Sequence, residues 1–200
     1  DPAKPMRTED LEYSAWLMVK EERWWKKILD VQTPYRWNLR HLKPGFTLDI
    51  GCGIGRNLAH LQGNGVGIDH NVYSVAIARA RGQQAFTPDE FQRLEYNAPS
   101  RFDSILLSHL AEHMTADEAT VLLRSYLHLL KPGGQVIFIT PQEAGYRADP
   151  THIQFMDFAA LRAITGALGL VPAKEYSFPF PRAFGSLFKY NEFVSVSHKD

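Results

Sequence analysis

Hydrophobic and polar residues alternate in blocks along the chain, and this pattern predicts strands and helices in turn. From residue 45 onward, short apolar runs are separated by amphipathic stretches with helical spacing. The strongest run, Phe102–Ser108, is apolar nearly throughout, which is typical of a strand buried on both faces. Strands alternating with helices indicate βαβ units and a mainly parallel sheet. The predicted strands lie at 46–50, 66–68, 83–86, 102–108, 135–140, 171–178 and 192–197.

Helical periodicity and capping residues predict the remaining elements. Thr115 to Glu118 form a capping box, and Asp157 is placed to cap a later helix. The sequence 131–134 (KPGG) predicts a sharp turn before the fifth strand. The predicted helices cover 11–29, 33–42 (opened by Thr33 as N-cap), 57–61, 71–80, 115–130 and the stretch between Asp157 and Gly169.

The chain therefore divides into a helical N-terminal extension, residues 1–44, and one α/β domain, residues 45–200. All 4 tryptophans lie in the extension. They predict either a lid over a ligand site or a surface that packs on the domain or on a second subunit as a homodimer.

Composition narrows the class of protein. Hydrophobic residues make up 44% and charged residues 22%, the balance of a globular chain. The formal net charge of +0 argues against nucleic acid or an anionic membrane as partner. A lone cysteine, Cys52, excludes a disulfide framework, and no apolar run approaches the roughly 20 residues of a membrane span. With no secretory signal at its start, the chain is expected in the cytoplasm.

A glycine-rich turn, Asp49–Gly55 (DIGCGIG), follows the first strand and points to a nucleotide-like ligand. Glycines permit positive φ and let a ligand approach the backbone closely. Asp69 ends the second strand, where a carboxylate can accept two ribose hydroxyls. A dinucleotide fingerprint would need glycine at Arg56, and the G-K-[ST] tail of a phosphate loop is missing. An adenosyl ligand without pyrophosphate fits these residues better.

Four segments in order resemble the class I S-adenosylmethionine-dependent methyltransferases. They are DIGCGIGRN, GVGIDHN, FDSILLSHLAEHM and LLKPGGQVIFITP, and they span about residues 45 to 141. The resemblance implies a Rossmann-like domain with a seven-stranded, mainly parallel sheet of order 3-2-1-4-5-7-6, whose last strand is antiparallel. It also implies S-adenosyl-L-methionine as cofactor.

The resemblance assigns the cofactor-binding residues by motif. The first motif would cradle the methionine part, the acid after the second strand would bind the ribose, and the adenine edge would lie after the third strand. Asp89 is an alternative at that edge, because the usual motif is replaced there by AFTPDEF. The residues so implied are Asp49, Gly51, Gly53, Gly55, Asp69, His70 beside the adenine, Phe86, Thr87, and Ser108 beside the methyl-bearing sulfur.

Two histidines are candidates for acid–base chemistry. His109 opens the sequence H-x-x-E-H, which also matches an inverted zinc-peptidase motif. Its place after a buried parallel strand favours a position near cofactor or substrate instead, with Glu112 and His113 orienting the loop and no metal bound. His152 lies in a long polar segment after the fifth strand, where it serves the acceptor or merely caps the next helix.

The acceptor is expected between two segments that leave strands at the same end of the sheet. Residues 142–152 are polar, and residues 178–191 are rich in aromatic side chains, although the latter could simply cover the sheet edge. The candidate substrate-binding residues are Glu143, Tyr146, Arg147, Asp149 and Tyr190.

These observations predict O-methylation of a small polar acceptor, a saccharide being favoured. His152 is predicted as general base, and His109 as a positioning group whose ring stays neutral beside the sulfonium.

Three alternatives to this function remain. One is N-methylation of a small molecule or protein, although the D/N-P-P-[YF] signature is missing. The others are nucleic-acid methylation and a non-catalytic adenosyl-binding module.

Overall fold

Seven strands form one sheet in the order β3-β2-β1-β4-β5-β7-β6, as the resemblance implied. The computed structural model describes residues 32–200 together with Ala15 and Met18, which are helical. The rest of the helix predicted at 11–29 lies outside the described residues. The strands are β1 (Thr47–Ile50), β2 (Gly65–Ile68), β3 (Ala85–Phe86), β4 (Phe102–Ser108), β5 (Leu130–Pro141), β6 (Val171–Phe178) and β7 (Glu192–His198).

β7 runs against its neighbours, while the pairs from β3 to β5 are parallel. Seven α-helices lie within residues 32–200; the first precedes β1 and the other six lie between strands. They are α1 (Thr33–His41), α2 (Arg56–Leu61), α3 (Val72–Ala80), α4 (Pro88–Phe91), α5 (Ala116–Tyr126), α6 (Glu143–Tyr146) and α7 (Phe158–Gly166).

Helices cover both faces of the sheet, which explains the apolar central strands. One apolar cluster joins Leu48 and Ile50 of β1 to Leu123 of α5 and Leu161 of α7. A second cluster, on the other face, contains residues of α1, α2 and α3. Since side chains alternate along a strand, Asp49 points to this second face. The order of strands and helices thus places a carboxyl group in the interior.

Several predicted boundaries shift for local reasons. The helix predicted to reach Leu130 ends at Tyr126, because a 3₁₀ turn at Leu127–Leu129 follows it. Residues 131–134 form a bulge inside β5 rather than a turn before it, since Leu130 already pairs with Phe102. The third strand is shortened to two residues. Gln32, not Thr33, is the N-cap of α1, and Asp157 caps α7 as predicted.

Candidate active site

Three segments meet where β1, β4 and β5 end. They are the glycine turn (residues 49–55), the 3₁₀ turn Ala111–His113 after β4, and the β5 loop (residues 142–152). The strand order reverses between β1 and β4, which is where open parallel sheets bind ligands. The topology thus brings together the segments on which the sequence predicted cofactor and acceptor sites.

Asp69 fixes the glycine turn through its buried carboxylate. Oδ2 accepts a hydrogen bond from Gly53 N at 2.8 Å, and Oδ1 accepts one from Asn71 N at 2.8 Å. Each carboxylate oxygen can accept more than one hydrogen bond, so the group retains capacity for a ligand hydroxyl. Asp69 therefore serves the turn in addition to its predicted role at the ribose.

The glycine turn adopts a backbone that favours glycine. Gly51, Gly53 and Gly55 have φ of 74°, 51° and 82°. A Cβ atom at Gly51 would lie 2.8 Å from Cδ1 of Leu110, in the segment after β4. A side chain at this position would therefore collide with the neighbouring loop as well as strain the backbone.

Asp49 is fully buried, and neither of its carboxylate oxygens has a hydrogen-bond partner within the described residues. Burial raises the pKa of Asp49 to about 8; the positive charge of Arg56 acts against this shift, and the negative charge of Asp69 adds to it. A buried carboxyl group without a partner is costly. A cationic ligand group beside it would relieve that cost.

The predicted adenine-side residues lie along the ends of β2 and β3. His70 is exposed, and its Nδ1 lies 3.8 Å from Asp69 Oδ1. The ring of Phe86 is half-buried, with the guanidinium of Arg79 5.2 Å from its centroid.

Thr87 is the N-cap of α4, a helix that the sequence analysis did not predict. Its Oγ1 accepts a hydrogen bond from Glu90 N at 3.3 Å, and its own N–H donates to Glu90 Oε2 at 2.8 Å. The side chain is thus engaged in a capping box. The alternative residue, Asp89, is exposed in the first turn of the same helix.

His109 lies directly after Ser108, the buried last residue of β4, and has a φ of 54°. Its Nε2 lies 2.8 Å from Glu192 Oε1, and its Nδ1 lies 3.3 Å from Glu112 Oε1. Burial lowers the pKa of His109, but the carboxylates of Glu112 and Glu192 outweigh burial and raise it to about 9. The two flanking carboxylates therefore favour a protonated ring, whereas the sequence analysis expected a neutral ring beside the sulfonium.

Glu112, His113 and His152 form a second group, which we call the histidine cluster. One potential ligand atom from each lies within 4.8 Å of the others. His152 Nδ1 is 2.7 Å from the carbonyl oxygen of Tyr146, and its Nε2 is 4.0 Å from Glu112 Oε1. Burial lowers the pKa of His113, which favours its neutral form. The H-x-x-E-H segment thus does not bring His109 and His113 together, because a 3₁₀ turn separates them and His109 turns to Glu192.

The polar residues of the β5 loop divide between the histidine cluster and the loop surface. The Tyr146 ring stacks on His152 with centroids 5.3 Å apart. Asp149 Oδ1 accepts hydrogen bonds from the backbone and hydroxyl of Thr151 at 3.0 and 2.6 Å. Arg147 is exposed and donates to the carbonyl of Ser186 at 3.4 Å.

The β5 loop also contacts the β6–β7 loop (residues 179–191). Arg182 forms an ion pair with Glu143, and its guanidinium holds the pKa of that carboxyl below its usual range. Tyr190 accepts a hydrogen bond at its carbonyl from the hydroxyl of Tyr35, in α1, at 2.8 Å. The two predicted acceptor segments therefore contact each other, and α1 contacts the second of them through Tyr35.

The sequence analysis missed Glu192 and Arg182 as residues of this site. Glu192 opens β7 and pairs in register with Pro141, the last residue of β5. The implied strand order already put β7 beside β5, so an acid at the first position of β7 could have been recognised.

Two kinds of comparison identify the family. A family model described as a methyltransferase domain matches residues 26–193. An uncharacterized methyltransferase of Bacillus thuringiensis (strain Al Hakam) is 31% identical over 97 residues, which are 47% of this chain and 46% of that protein. One of Bacillus cytotoxicus matches with the same identity and coverage. The chain spans about half the length of these curated relatives.

Solved structures share the fold at low sequence identity. A methyltransferase from Archaeoglobus fulgidus has a TM-score of 0.66 and 18% identity, covering 92% of this chain and 100% of its own. Magnesium protoporphyrin IX methyltransferase from Synechocystis PCC 6803 with bound SAH has a TM-score of 0.63 and 16% identity, with 96% of each chain covered.

The fold and the glycine turn define a Rossmann-like adenosyl-binding domain, and the family match makes the assignment specific. The chain belongs to the class I S-adenosylmethionine-dependent methyltransferases. The predicted family, fold and cofactor are thereby confirmed. Among the described helices, none has the length and apolar character needed to cross a bilayer.

Proposed function

We propose that the chain transfers a methyl group from S-adenosylmethionine to a hydroxyl oxygen of a small polar acceptor, and that a saccharide is the class to test first. The observation that carries the proposal is a group of polar side chains, His109, Glu112 and His152, in the segments that follow β4 and β5. There, Glu112 lies between His109 and His152 at 3.3 and 4.0 Å. Such groups suit an acceptor atom that must lose a proton.

The residues of the glycine turn fit the cofactor. S-adenosylmethionine, when bound, supplies a methyl group on a sulfonium, which is a strong electrophile. Asp49 offers a buried, unpartnered carboxyl group that suits the ammonium of the methionine part. Asp69 can accept the ribose hydroxyls while it holds Gly53.

The acceptor side requires alignment, exclusion of water and removal of the hydroxyl proton. Glu112 is fully buried and the side chain of His152 is 7% exposed, so solvent is largely excluded from this pair. We assign His152 and Glu112 to the acceptor hydroxyl. We assign His109 a positioning role, since both of its ring nitrogens face carboxylates.

The two loops support a hydrophilic acceptor. Glu143, Tyr146, Asp149 and Arg182 supply hydrogen-bonding groups, and Phe180, Phe184 and Tyr190 supply ring faces on which a sugar can pack. This combination of polar groups and aromatic rings favours a saccharide over an apolar phenol.

A transfer assay with methyl-labelled cofactor tests the proposal. Sugars, polyols, phenols and primary amines are compared, each with and without added Zn²⁺ or Mn²⁺. We expect label in an O-methyl ether of a hydroxyl acceptor, and His152→Ala to abolish most of it. His128→Ala is the matched control, because His128 is exposed and far along the chain from the site. Label found only in amines would overturn the proposal.

A further inference from the structure

The histidine cluster joins two segments that are distant in sequence. Glu112 and His113 follow β4, and His152 comes from the β5 loop. Their potential ligand atoms lie within 4.8 Å of one another. Ligands about 2.1 Å from a tetrahedral metal are about 3.4 Å apart, so side-chain rotations that close at most about 1.4 Å would suffice.

In His113 and in His152, a hydrogen bond at Nδ1 determines the orientation of the ring and leaves Nε2 available for a ligand. A ring nitrogen beside a carbonyl oxygen must donate its proton, and His152 Nδ1 lies 2.7 Å from the carbonyl of Tyr146. His113 Nδ1 lies 3.2 Å from the carbonyl of Thr151. In the neutral rings this leaves Nε2 of each with a lone pair. Metal-ligating histidines use the same arrangement, in which the second nitrogen donates to a carbonyl or carboxylate.

Glu112 provides the independent sign of a ligand. Its carboxylate is 0% exposed, and Oε2 accepts no hydrogen bond from any residue that the structure describes, whereas Oε1 is within ion-pair distance of His109. Oε1 lies 3.3 Å from His109 Nδ1, which is also held at its other nitrogen by Glu192. Oε1 also faces the lone-pair nitrogen of His152 at 4.0 Å. Two electron-pair donors that face each other in a buried site are stabilised by a cation between them.

We propose that Glu112, His113 and His152 bind a divalent transition-metal cation of the Zn²⁺ type, with at least one coordination position open to water or to the acceptor oxygen. Two imidazoles with one carboxylate suit Zn²⁺, Co²⁺, Fe²⁺ or Mn²⁺, whereas Mg²⁺ and Ca²⁺ prefer oxygen ligands. A set of three protein ligands leaves a fourth position for a reacting oxygen.

The role of this cation rests on the proposed O-methylation, although its binding does not. A hydroxyl bound to a divalent cation loses its proton to water more readily. The acceptor oxygen then donates an electron pair to the methyl carbon as the carbon–sulfur bond breaks with its pair going to sulfur. In this arrangement His152 would be a ligand of the cation that activates the hydroxyl, and not a general base that takes up the proton itself.

Metal titration of the untagged, chelator-treated protein tests binding without cofactor or acceptor. We expect one Co²⁺ per chain, with the visible absorption of a low-coordinate nitrogen-ligated ion, and Zn²⁺ should displace it. Zn²⁺ should also raise the melting temperature, whereas Mg²⁺ should not. His113→Ala, His152→Ala and Glu112→Gln should each weaken Co²⁺ binding at least about tenfold.

His128→Ala should bind Co²⁺ like the unaltered chain, because its side chain is exposed and outside the cluster. Absence of stoichiometric binding to the unaltered protein overturns the cation site whether or not the variants fold. Binding that survives in folded His113→Ala and His152→Ala overturns it as well. Methyl transfer that persists in chelator would refute the catalytic role of the cation but neither its binding site nor O-methylation. Co²⁺ binding with label only in amines would refute the hydroxyl acceptor alone.

Discussion

At the scale of residues, the site depends on carboxyl groups whose surroundings differ sharply. Asp69 accepts two backbone hydrogen bonds, whereas Asp49, on the neighbouring strand, accepts none within residues 32–200. Both are buried. The first carboxylate is therefore stabilised by the fold, and burial disfavours the anionic form of the second unless a cationic group lies beside it.

Replacing Asp69 by alanine should weaken binding of S-adenosylhomocysteine. The change removes the charged acceptor for the ribose and releases Gly53 N, so we expect a loss of about 1.5–3 kcal/mol. Calorimetry on protein that is folded by circular dichroism measures this. Asp89→Ala is the matched control, because Asp89 is exposed and was the alternative acid. A larger loss in Asp89→Ala would reverse the assignment.

Asp49→Asn should stabilise the fold while it weakens cofactor binding. The pKa of Asp49 is raised from 3.8 to about 8 by burial, so unfolding releases a proton between these values. Its contribution to stability therefore falls as pH rises through this range and is constant above about pH 8. Because one pKa unit is worth about 1.4 kcal/mol, we expect a gain of at least about 1 kcal/mol.

Melting curves of Asp49→Asn and the unaltered chain at about pH 5 and about pH 8 check this, since the pKa of Asp49 is about 8. The advantage of the variant should be larger at the higher pH. A variant that melts lower at both pH values would show that Asp49 has a stabilising partner. Unchanged affinity for S-adenosylhomocysteine would remove Asp49 from the cofactor site.

At the scale of elements, prediction succeeded where local chemistry determines the element. β4 has the bounds that its apolar run predicted, and Thr115 and Asp157 cap the helices expected from their side chains. Prediction from the sequence failed where contacts between residues distant in the chain determine the structure. The KPGG bulge exists because Leu130 pairs with Phe102, which no local pattern shows. His113 and His152 meet only because the β5 loop returns across the end of β4.

The β5 and β6–β7 loops should move as a unit, since Arg182 connects them. We expect Arg182→Ala to speed amide hydrogen exchange in both 142–152 and 179–191, because it removes the ion pair with Glu143. Arg162→Ala is the matched control: it removes an ion pair with Glu175 that lies outside both loops. Unchanged exchange in either loop would contradict a coupling through Arg182.

At the scale of the whole molecule, the active site divides along β4. The β1–β2 side carries the glycine turn and Asp69, and the β5–β7 side carries His152, Glu192 and the two loops. The motifs supplied a prediction for each residue of the first side, because the proposed cofactor-binding residues lie within short segments. The second side is assembled from residues far apart in sequence. The sequence alone could therefore indicate candidates such as His152 but not the residues that they contact.

This division predicts that cofactor binding and methyl transfer can be separated by mutation. Saturating S-adenosylhomocysteine at about 100 times its Kd should stabilise the unaltered chain by about 2.7 kcal/mol. His152→Ala should keep that stabilisation, because the side chain of His152 contacts Tyr146, Glu112 and His113 rather than the glycine turn. Its single-turnover methyl transfer should nevertheless fall about 10²–10⁴-fold, because His152 no longer assists removal of the proton from the acceptor hydroxyl. Asp69→Ala should show the opposite result: at the same ligand concentration the weakened binding should leave only about 0.3–1.3 kcal/mol of stabilisation, whereas transfer should be retained once the cofactor is saturating. Loss of a general base is expected to slow transfer far more than threefold. If the His152→Ala rate lies within about threefold of the unaltered chain, other residues on the β5–β7 side must act on the acceptor hydroxyl.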